Sequence, residues 1–304
     1  MMRRRPRHGR PLSALTGFGP VTLPVFAFLL ACGPPPQSSE GADGAADSLR
    51  IVDASGARVS LPGPARRVVS LVPSATQTLR AIGADRALVG RTDFDTERWA
   101  ADIPSVGGGL GPNLEAIVAL EPDLVIRFEG AQDPRTAARL DDLGITHLAV
   151  RPDHVDDIYR TARMLGVATG HEAQADSLVE AIRTGLSGLS DRVAALPRRR
   201  VAYVLGGTPP WVSGPGTYID EIVSLVGGDN VFSDLRVLYT AVSPEQLLTR
   251  DIEVVLASGV ASFDATLAPG ARVAHVGDAL EIPGPDVVNA AYRVAELLHG
   301  RSLR

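Results

Sequence analysis

Residues 171–196 read His171-Glu-Ala-Gln-Ala-Asp-Ser-Leu-Val-Glu-Ala-Ile-Arg-Thr-Gly-Leu-Ser-Gly-Leu-Ser-Asp-Arg-Val-Ala-Ala-Leu196. The apolar side chains recur every three or four residues, as on one face of a helix, at positions 175, 178, 179, 182, 186, 189, 193 and 196. Pro197 ends the pattern. About 25 residues rising ~1.5 Å each give a helix roughly 37 Å long. The stretch predicts a stiff strut between two domains, although the pattern alone also fits a long helix packed on one domain.

Short apolar runs alternate with helical patterns on both sides of this helix. The runs that predict strands are 67–71, 87–90, 123–126 and 146–150 before it, and 200–205, 252–256 and 271–275 after it. Strands this short and apolar are typical of parallel sheets that helices cover on both faces. Further helices are predicted over 77–82, with Ser74 or Thr76 as its cap, and over 218–226 and 286–299. The fold class is therefore α/β, with two Rossmann-like lobes that contain central parallel sheets and are bridged by one long backbone helix.

The amino terminus predicts an exported, membrane-anchored chain. Five arginines and no acid precede the apolar run Leu23–Ala31, and Cys32, the only cysteine, follows it. A basic start, a short apolar core and a small residue before the cleavage point are typical of a secretory signal. Leu29-Leu-Ala-Cys32 resembles the bacterial lipobox, which implies that Cys32 is lipidated and becomes the first mature residue. The alternative is an ordinary leader that happens to end in cysteine.

The charge of the mature chain argues against two classes of binding partner. Removing residues 1–31 takes away five arginines and no acid, which changes the formal net charge from −5 to −10, and the chain has no lysine. Such a surface is poorly suited to nucleic acid or to electrostatic adhesion on anionic lipid, so acyl chains on Cys32 would provide the anchor. The predicted segments are a lipoprotein signal peptide at 1–31, a flexible tether at 32–49, an N-terminal α/β lobe at 50–153, a helical linker at 154–197 and a C-terminal α/β lobe at 198–304.

One local pattern occurs once in each half. Residues 113–126 read Asn-Leu-Glu-Ala-Ile-Val-Ala-Leu-Glu-Pro-Asp-Leu-Val-Ile, and residues 243–256 read Ser-Pro-Glu-Gln-Leu-Leu-Thr-Arg-Asp-Ile-Glu-Val-Val-Leu. Each stretch has a helix-capping residue, a glutamate two places later, and a second acid eight positions after that glutamate, just before a strand. Glu115 and Glu245 are therefore equivalent. Each either complements its helix dipole or docks on a basic partner with twofold symmetry.

Several segments resemble the helical-backbone class of ABC-transporter substrate-binding proteins. They are 67–76, 90–93, 106–108, 112–126 and 225–232, within a similarity that runs from about residue 50 to residue 300. The cobalamin binders of this class are most similar, and ferric-siderophore and haem binders are near relatives. The resemblance implies two α/β lobes bridged by a helix, with ligand between them. It also implies that Glu115 and Glu245 dock on arginines of a permease dimer, whose ATPase subunits power transport, and that the binding protein acts as a monomer.

Four aromatic residues at loop positions are candidates for ligand binding: Phe94, Phe128, Trp211 and Tyr239. Flat rings suit a large macrocycle, because they contact a wide area with little loss of rotamer freedom. The resemblance places ligand between residues 90–130 and 206–240, and it implies a corrinoid or an iron chelate as transported cargo, with no resident cofactor. The loop 107–111 departs from the family, because cobalamin binders often carry tryptophan there. Arginines flank these loops at 91, 127 and 236, either free for an anionic ligand or paired with acids such as Asp93 and Asp95.

Other classes of function have little support. The histidines are scattered, so no metal site is predicted, and neither a nucleophile elbow nor a phosphate-binding Gly-Lys loop occurs. The chain is therefore not predicted to be an enzyme. An extracytoplasmic ligand sensor and a carboxylate-dependent surface enzyme stay open as alternatives. The sequence does not decide between the periplasm and the cell exterior.

Overall fold

The computed structural model describes residues 48–130, 133–258, 263–277 and 280–303. The predicted leader, Cys32 and the tether up to residue 47 lie outside these ranges. The strands are β1 Leu49–Val52, β2 Arg58–Leu61, β3 Val68–Ser70, β4 Leu88–Gly90, β5 Leu124–Phe128, β6 His147–Val150, β7 Arg199–Gly206, β8 Trp211–Ser213, β9 Gly228–Asn230, β10 Tyr239–Ala241, β11 Val254–Ser258 and β12 Arg272–Gly277. The helices are α1 Pro73–Ala81, α2 Leu114–Ala119, α3 Thr136–Asp142, α4 Val155–Thr169, α5 Glu172–Val193, α6 Tyr218–Leu225, α7 Pro244–Leu248 and α8 Val287–His299.

The N-terminal lobe is built on a four-stranded sheet in the order β4-β3-β5-β6, with every pairing parallel. Consecutive side chains of β5 enter opposite cores. Leu124 and Ile126 join the cluster that α1 and α4 cover, whereas Val125 joins the cluster with Ile117 of α2. Burial on both faces explains why the strands are continuous apolar runs. The antiparallel hairpin β1–β2, which the sequence analysis did not predict, precedes this sheet.

The C-terminal lobe places β7 at the centre of a mixed sheet. β7 pairs in parallel with β11 on one side, and β11 pairs in parallel with β12. On the other side its first half pairs in parallel with β9, and its second half pairs antiparallel with β8, which carries β10 at the edge. The predicted parallel strands are β7, β11 and β12, which lie side by side, and the β8–β10 ribbon is an addition that was not predicted.

The long helix α5 bridges the two lobes, and helix α4 packs against it. Helix α5 is continuous over Glu172–Val193, close to the predicted 171–196. Its Ala175 joins the N-terminal core, whereas its later apolar residues join the C-terminal core. Helix α4 also reaches both cores, through Ile158 in the C-terminal lobe and Leu165 in the N-terminal lobe. Helix α4 continues to Thr169, and Gly170 in the left-handed conformation ends it.

Helix α1 begins earlier than predicted, and its predicted cap is wrong. Pro73 occupies the first turn and Val72 is the capping residue, without a side-chain hydrogen bond. Ser74 and Thr76 are buried inside the helix, so neither hydroxyl caps it. A proline in the first turn has no N–H that needs a cap, which reduces the demand for one. Within the described ranges, no helix combines the length and apolarity needed to cross a membrane.

Candidate functional site

The lobes meet where N-terminal strands end. Just after β6, the carbonyl of Asp153 accepts a hydrogen bond from the amide of Tyr218 at 2.5 Å. Just after β3, Ser74 and the side chain of Gln77 lie against Gly284 of the other lobe, within 4 Å of where its Cβ would be. Ligands of open α/β sheets bind outside the carboxyl ends of the strands. These contacts therefore border the candidate cleft.

Phe94 projects from the loop that follows β4, and its side chain is 66 % exposed. The buried carboxylate of Asp95 holds this loop, because its Oδ2 accepts hydrogen bonds from the amide and the hydroxyl of Thr92 at 2.8 and 2.7 Å. Burial raises the pKa of Asp95, while the Thr92 bonds oppose that rise. The ring therefore stands on a rigid turn, which limits the rotamer and loop ordering that binding would require.

The glycine-rich loop 107–111 packs beneath the Phe94 turn. The amide of Asp93 donates to the carbonyl of Gly107 at 2.9 Å, and a Cβ at Gly108 would lie 3.9 Å from the Phe94 ring. A Cβ at Gly109 would lie only 2.4 Å from the carbonyl oxygen of Leu71. Only glycine permits this close approach, so the loop that lacks the family tryptophan is constrained by its backbone packing.

Trp211 is the first residue of β8 and is 48 % exposed. The preceding loop turns through Gly206 and Gly207, with φ angles of 99° and 94°, and a Cβ at Gly207 would lie 3.1 Å from the indole. Beside this loop, at the carboxyl ends of β7 and β11, lies a cavity of ≈ 750 Å³. Thr208, Ser258 and Asp264 supply polar atoms to its otherwise apolar lining.

Phe128 and Tyr239, the other two predicted aromatics, are half-buried and pack against the cores of their own lobes. Burial and, to a lesser extent, the nearby Asp153 carboxylate raise the pKa of Tyr239 to about 12, although a hydrogen bond with Thr217 opposes the rise. Phe94 and Trp211 therefore offer more open ring surface than this pair. A ligand-binding role for all four residues stays a prediction.

Two exposed aliphatic side chains near these aromatic residues were not predicted. Leu110 is 53 % exposed in the loop beneath Phe94, and Val237, just before β10, is 51 % exposed. The exposure of Leu110 could have been predicted from the sequence, because it is an apolar residue within a glycine-rich loop. Each lobe thus presents one ring and one aliphatic side chain on its ligand loops.

The two repeated helices have the predicted caps. The Asn113 side chain accepts from the amide of Ala116 at 3.1 Å, and the Ser243 hydroxyl accepts from the amide of Gln246 at 3.3 Å. Glu115 and Glu245 each occupy the second helical position and are exposed. Neither carboxylate forms an ion pair with another described residue. Bonds from its own helix amide and from Ser243 lower the pKa of Glu245, so the exposed group stays charged.

The second acid of each repeat has a structural role. Asp123 accepts hydrogen bonds from the amides of Arg66 and Arg67 at 2.8 and 3.0 Å, and Glu253 accepts one from the amide of Arg200 at 2.8 Å. Each acid thereby ties the start of its strand to the neighbouring central strand. The repeat therefore combines a structural acid with an exposed one.

In each lobe, backbone hydrogen bonds connect the predicted ligand loop to the start of the repeated helix. In the N-terminal lobe, Asn113 donates its amide to Val106 at 2.9 Å and so joins the start of α2 to the start of the glycine-rich loop. In the C-terminal lobe, Trp211 pairs with Ala241 across β8 and β10, and the amide of Val242 donates to Pro210 at 2.9 Å, two residues before α7. In each lobe, backbone hydrogen bonds therefore link the predicted ligand loop to the segment that leads into the repeated helix.

A comparison with protein families matches residues 68–270 to the family described as periplasmic binding protein. The chain belongs to that family. Vitamin B12-binding proteins of Yersinia pestis (strain Pestoides F) and Yersinia pseudotuberculosis serotype O:3 (strain YPIII) are 35 % and 34 % identical to it over 206 residues, which cover 67 % of this chain and 74 % of each relative.

Solved structures support the same fold for this periplasmic binding protein. The periplasmic vitamin B12 binding protein BtuF of Vibrio cholerae is 27 % identical, with a TM-score of 0.69 over 78 % of this chain and 98 % of that one. The periplasmic heme-binding protein RhuT from Roseiflexus sp. RS-1 is 21 % identical, with a TM-score of 0.68 over 77 % and 98 %. The prediction of two α/β lobes bridged by a long helix is confirmed. At 21 % identity, the similarity to the heme-binding protein supports the fold alone.

Two of the arginines that flank the ligand loops are engaged within the N-terminal lobe. Arg91 donates to the carbonyls of Ala100 and Thr92, both at 2.8 Å. Arg127 is buried and binds Glu129 at 2.7 Å, His147 at 3.2 Å and the carbonyl of Phe128 at 3.2 Å.

Neither Asp93 nor Asp95 pairs with these arginines, although Arg127 pairs with another acid, Glu129. Asp93 accepts from the Ser105 hydroxyl instead, and Asp95 accepts from Thr92. Arg236 is exposed, with no bonding partner among the described residues. In the same ranges, no group of three or more His, Cys, Asp or Glu side chains could hold a metal ion.

Proposed function

We propose that this periplasmic binding protein captures a corrinoid between its lobes and delivers it to the permease of an ABC importer. The observation that carries the proposal is the pair of exposed rings, one on each lobe: Phe94 on the loop after β4, and Trp211 at the start of β8, next to the loop after β7. Vitamin B12-binding relatives at 35 % identity support the same ligand class. A planar macrocycle would gain wide contact with both rings and with the aliphatic residues beside them.

Charge favours a corrinoid over an anionic iron chelate. Cobalamin carries peripheral amides and little net charge, so it needs contact area and hydrogen bonds more than cations. Haem propionates and many siderophores would require guanidinium partners. Arg91 and Arg127 are occupied within the protein, which leaves Arg236 as the exposed guanidinium of the three. Arg236 is the observation that favours the second candidate, a ferric siderophore or haem.

Calorimetry with cyanocobalamin, haemin and ferric siderophores tests the ligand. We expect saturable heat with cyanocobalamin, and at least tenfold weaker binding for Phe94→Ala and for Trp211→Ala. Leu143→Ala is the matched control. Leu143 is 49 % exposed, but it lies in the segment between α3 and β6, away from the ligand loops. Binding of haemin or a siderophore alone would favour the second candidate, and no heat with any of the three would refute the proposal. A surface enzyme would instead turn over its substrate.

Glu115 and Glu245 are proposed to dock on basic side chains of the permease dimer. Two exposed, unpaired carboxylates at equivalent places on two lobes suit a partner with twofold symmetry. The double change Glu115→Ala with Glu245→Ala should abolish uptake of labelled cyanocobalamin and leave its affinity unchanged. Glu172→Ala with Glu180→Ala removes the same charge from exposed sites on α5 and should preserve uptake. Normal uptake by the first double variant would contradict docking.

The anchor is proposed to be lipid on Cys32. The leader that precedes Cys32 and the acidic composition of the mature chain support this proposal, which implies an exported protein held at the membrane by acyl chains. Mass spectrometry of protein from membranes should find a diacylglyceryl group on Cys32. Cys32→Ser should release the chain from the membrane, and an unmodified cysteine in the membrane fraction would contradict lipidation.

A further inference from the structure

The described residues include eight large apolar side chains with high exposure. Four of them, Phe94, Leu110, Trp211 and Val237, lie on the ligand loops. Three more lie on or beside the repeated helices: Val118 on α2, Leu248 on α7 and Leu143 just after α3. Only Val52, on β1, lies elsewhere. Scattered exposed aliphatic residues are normal, but this concentration needs an explanation.

The two repeated helices carry the same arrangement. The glutamate is at the second helical position, a fully buried aliphatic residue is at the fourth, and an exposed aliphatic residue is at the fifth. The inward residues are Ile117 and Leu247, both 0 % exposed; the outward ones are Val118 and Leu248, 46 % and 48 % exposed. Residues three apart share one helix face, so each carboxylate has an apolar neighbour beside it.

The N-terminal copy extends onto a neighbouring segment. A hollow of ≈ 620 Å³ beside α2 is lined by both Val118 and Leu143, together with Glu115 and Arg139. Its surface is mainly apolar, and the charged side chains of its lining include Glu115, Arg139 and Asp142. This is the organisation of a protein interface, where an apolar centre is surrounded by a polar rim.

We infer that Val118 and Leu248 form the apolar centres of two matched permease contacts, with Glu115 and Glu245 at their charged rims. The inference rests on the proposed transport function. The partner it fits has two copies of one surface, each with a basic side chain next to an apolar hollow, because the two helices repeat both the charge and the aliphatic group at the same spacing. The carboxylates then determine the association rate and its salt dependence, and the aliphatic pair determines the dissociation rate.

The test uses the mature chain and the permease–ATPase complex through which it supports cyanocobalamin uptake, held in lipid nanodiscs. Dissociation constants are measured at low and high salt for wild type, Glu115→Ala/Glu245→Ala, Val118→Asn/Leu248→Asn and the control Val52→Asn. Val52 is a suitable control because it is 65 % exposed and remote in sequence from both helices. Thermal melting and cyanocobalamin affinity verify folding, and Val118→Thr/Leu248→Gln replaces the asparagine pair if that pair melts early.

We expect the Val118/Leu248 variant to bind at least tenfold more weakly through faster dissociation, with the salt dependence of wild type. The glutamate variant should lose most of that salt dependence, since the charges have gone. Val52→Asn should bind as wild type. Normal binding by the Val118/Leu248 variant, while the glutamate variant fails, overturns this inference and leaves the transport proposal standing. Wild type that does not bind the complex overturns both.

Discussion

Two glycines in the bridging helix should respond oppositely to alanine. A Cβ at Gly185 would lie 2.7 and 3.0 Å from the two γ-carbons of Val288 on α8, whereas a Cβ at Gly188 would meet nothing within 4 Å. Both changes gain helix propensity, worth about 1 kcal/mol. Only Gly185→Ala adds a clash, and the stiff β-branched valine cannot rotate away easily. Overpacking of this kind costs about 1–3 kcal/mol.

The difference between the two variants isolates the clash, because the propensity gain is common to both. At about 2–4 °C per kcal/mol for a domain of this size, Gly185→Ala should melt roughly 2–12 °C below Gly188→Ala. Gly188→Ala should itself melt slightly above wild type. Calorimetric melting and urea titration of the purified mature chain measure both quantities.

A double-mutant cycle identifies the cause. Val288→Ala removes both clashing carbons, so it should destabilise the Gly185→Ala protein less than it destabilises wild type, with a coupling energy of about 1 kcal/mol or more. Equal melting temperatures for Gly185→Ala and Gly188→Ala, together with zero coupling to Val288, would refute the close packing of α5 on α8.

Three further outcomes follow from local geometry. Gly109→Ala should weaken cyanocobalamin binding at least tenfold, because its Cβ would meet the Leu71 carbonyl at 2.4 Å and displace the loop beneath Phe94; Gly63→Ala, in open space, is the control for calorimetry. The hydrogen bond to Glu221 raises the pKa of His154, so its stabilisation is complete below about pH 6.5 and is lost as pH rises through the higher folded-state pKa. His154→Gln should flatten that part of the stability–pH curve, and an unchanged curve would contradict the assignment. Thr217→Ala should remove the cap of α6, in which the hydroxyl accepts from the amide of Asp220 at 3.0 Å, and lower stability by about 1 kcal/mol in urea titration; no loss would show that this cap is not stabilising.

The strands and the repeated helices were readable from the sequence because local chemistry decides them. Runs such as 123–126 and 252–256 are apolar on both faces, which only a covered parallel sheet accommodates, and β5 and β11 begin within two residues of those positions. Asn113 and Ser243 cap their helices as expected, since capping depends on neighbouring residues alone.

Features that depend on distant contacts were not readable. The sequence could not show that Arg91 binds carbonyls rather than acids, because Ala100 reaches it only through the folded loop. The β8–β10 ribbon is two three-residue strands whose pairing requires the long loop between them to close. The exposure of Val118 and Leu248 could not be predicted either, because an aliphatic residue in a short helix more often faces the core.

The sequence by itself determined the central parallel strands, the long bridging helix and the duplicated glutamates, because spacing and residue type act over a few neighbouring positions. Tertiary structure alone decided which aromatic rings are exposed to solvent, which arginine side chains are hydrogen-bonded within the protein, and which aliphatic side chains face outward. Those properties depend on what surrounds each side chain in space, and residues far apart in the chain supply those surroundings.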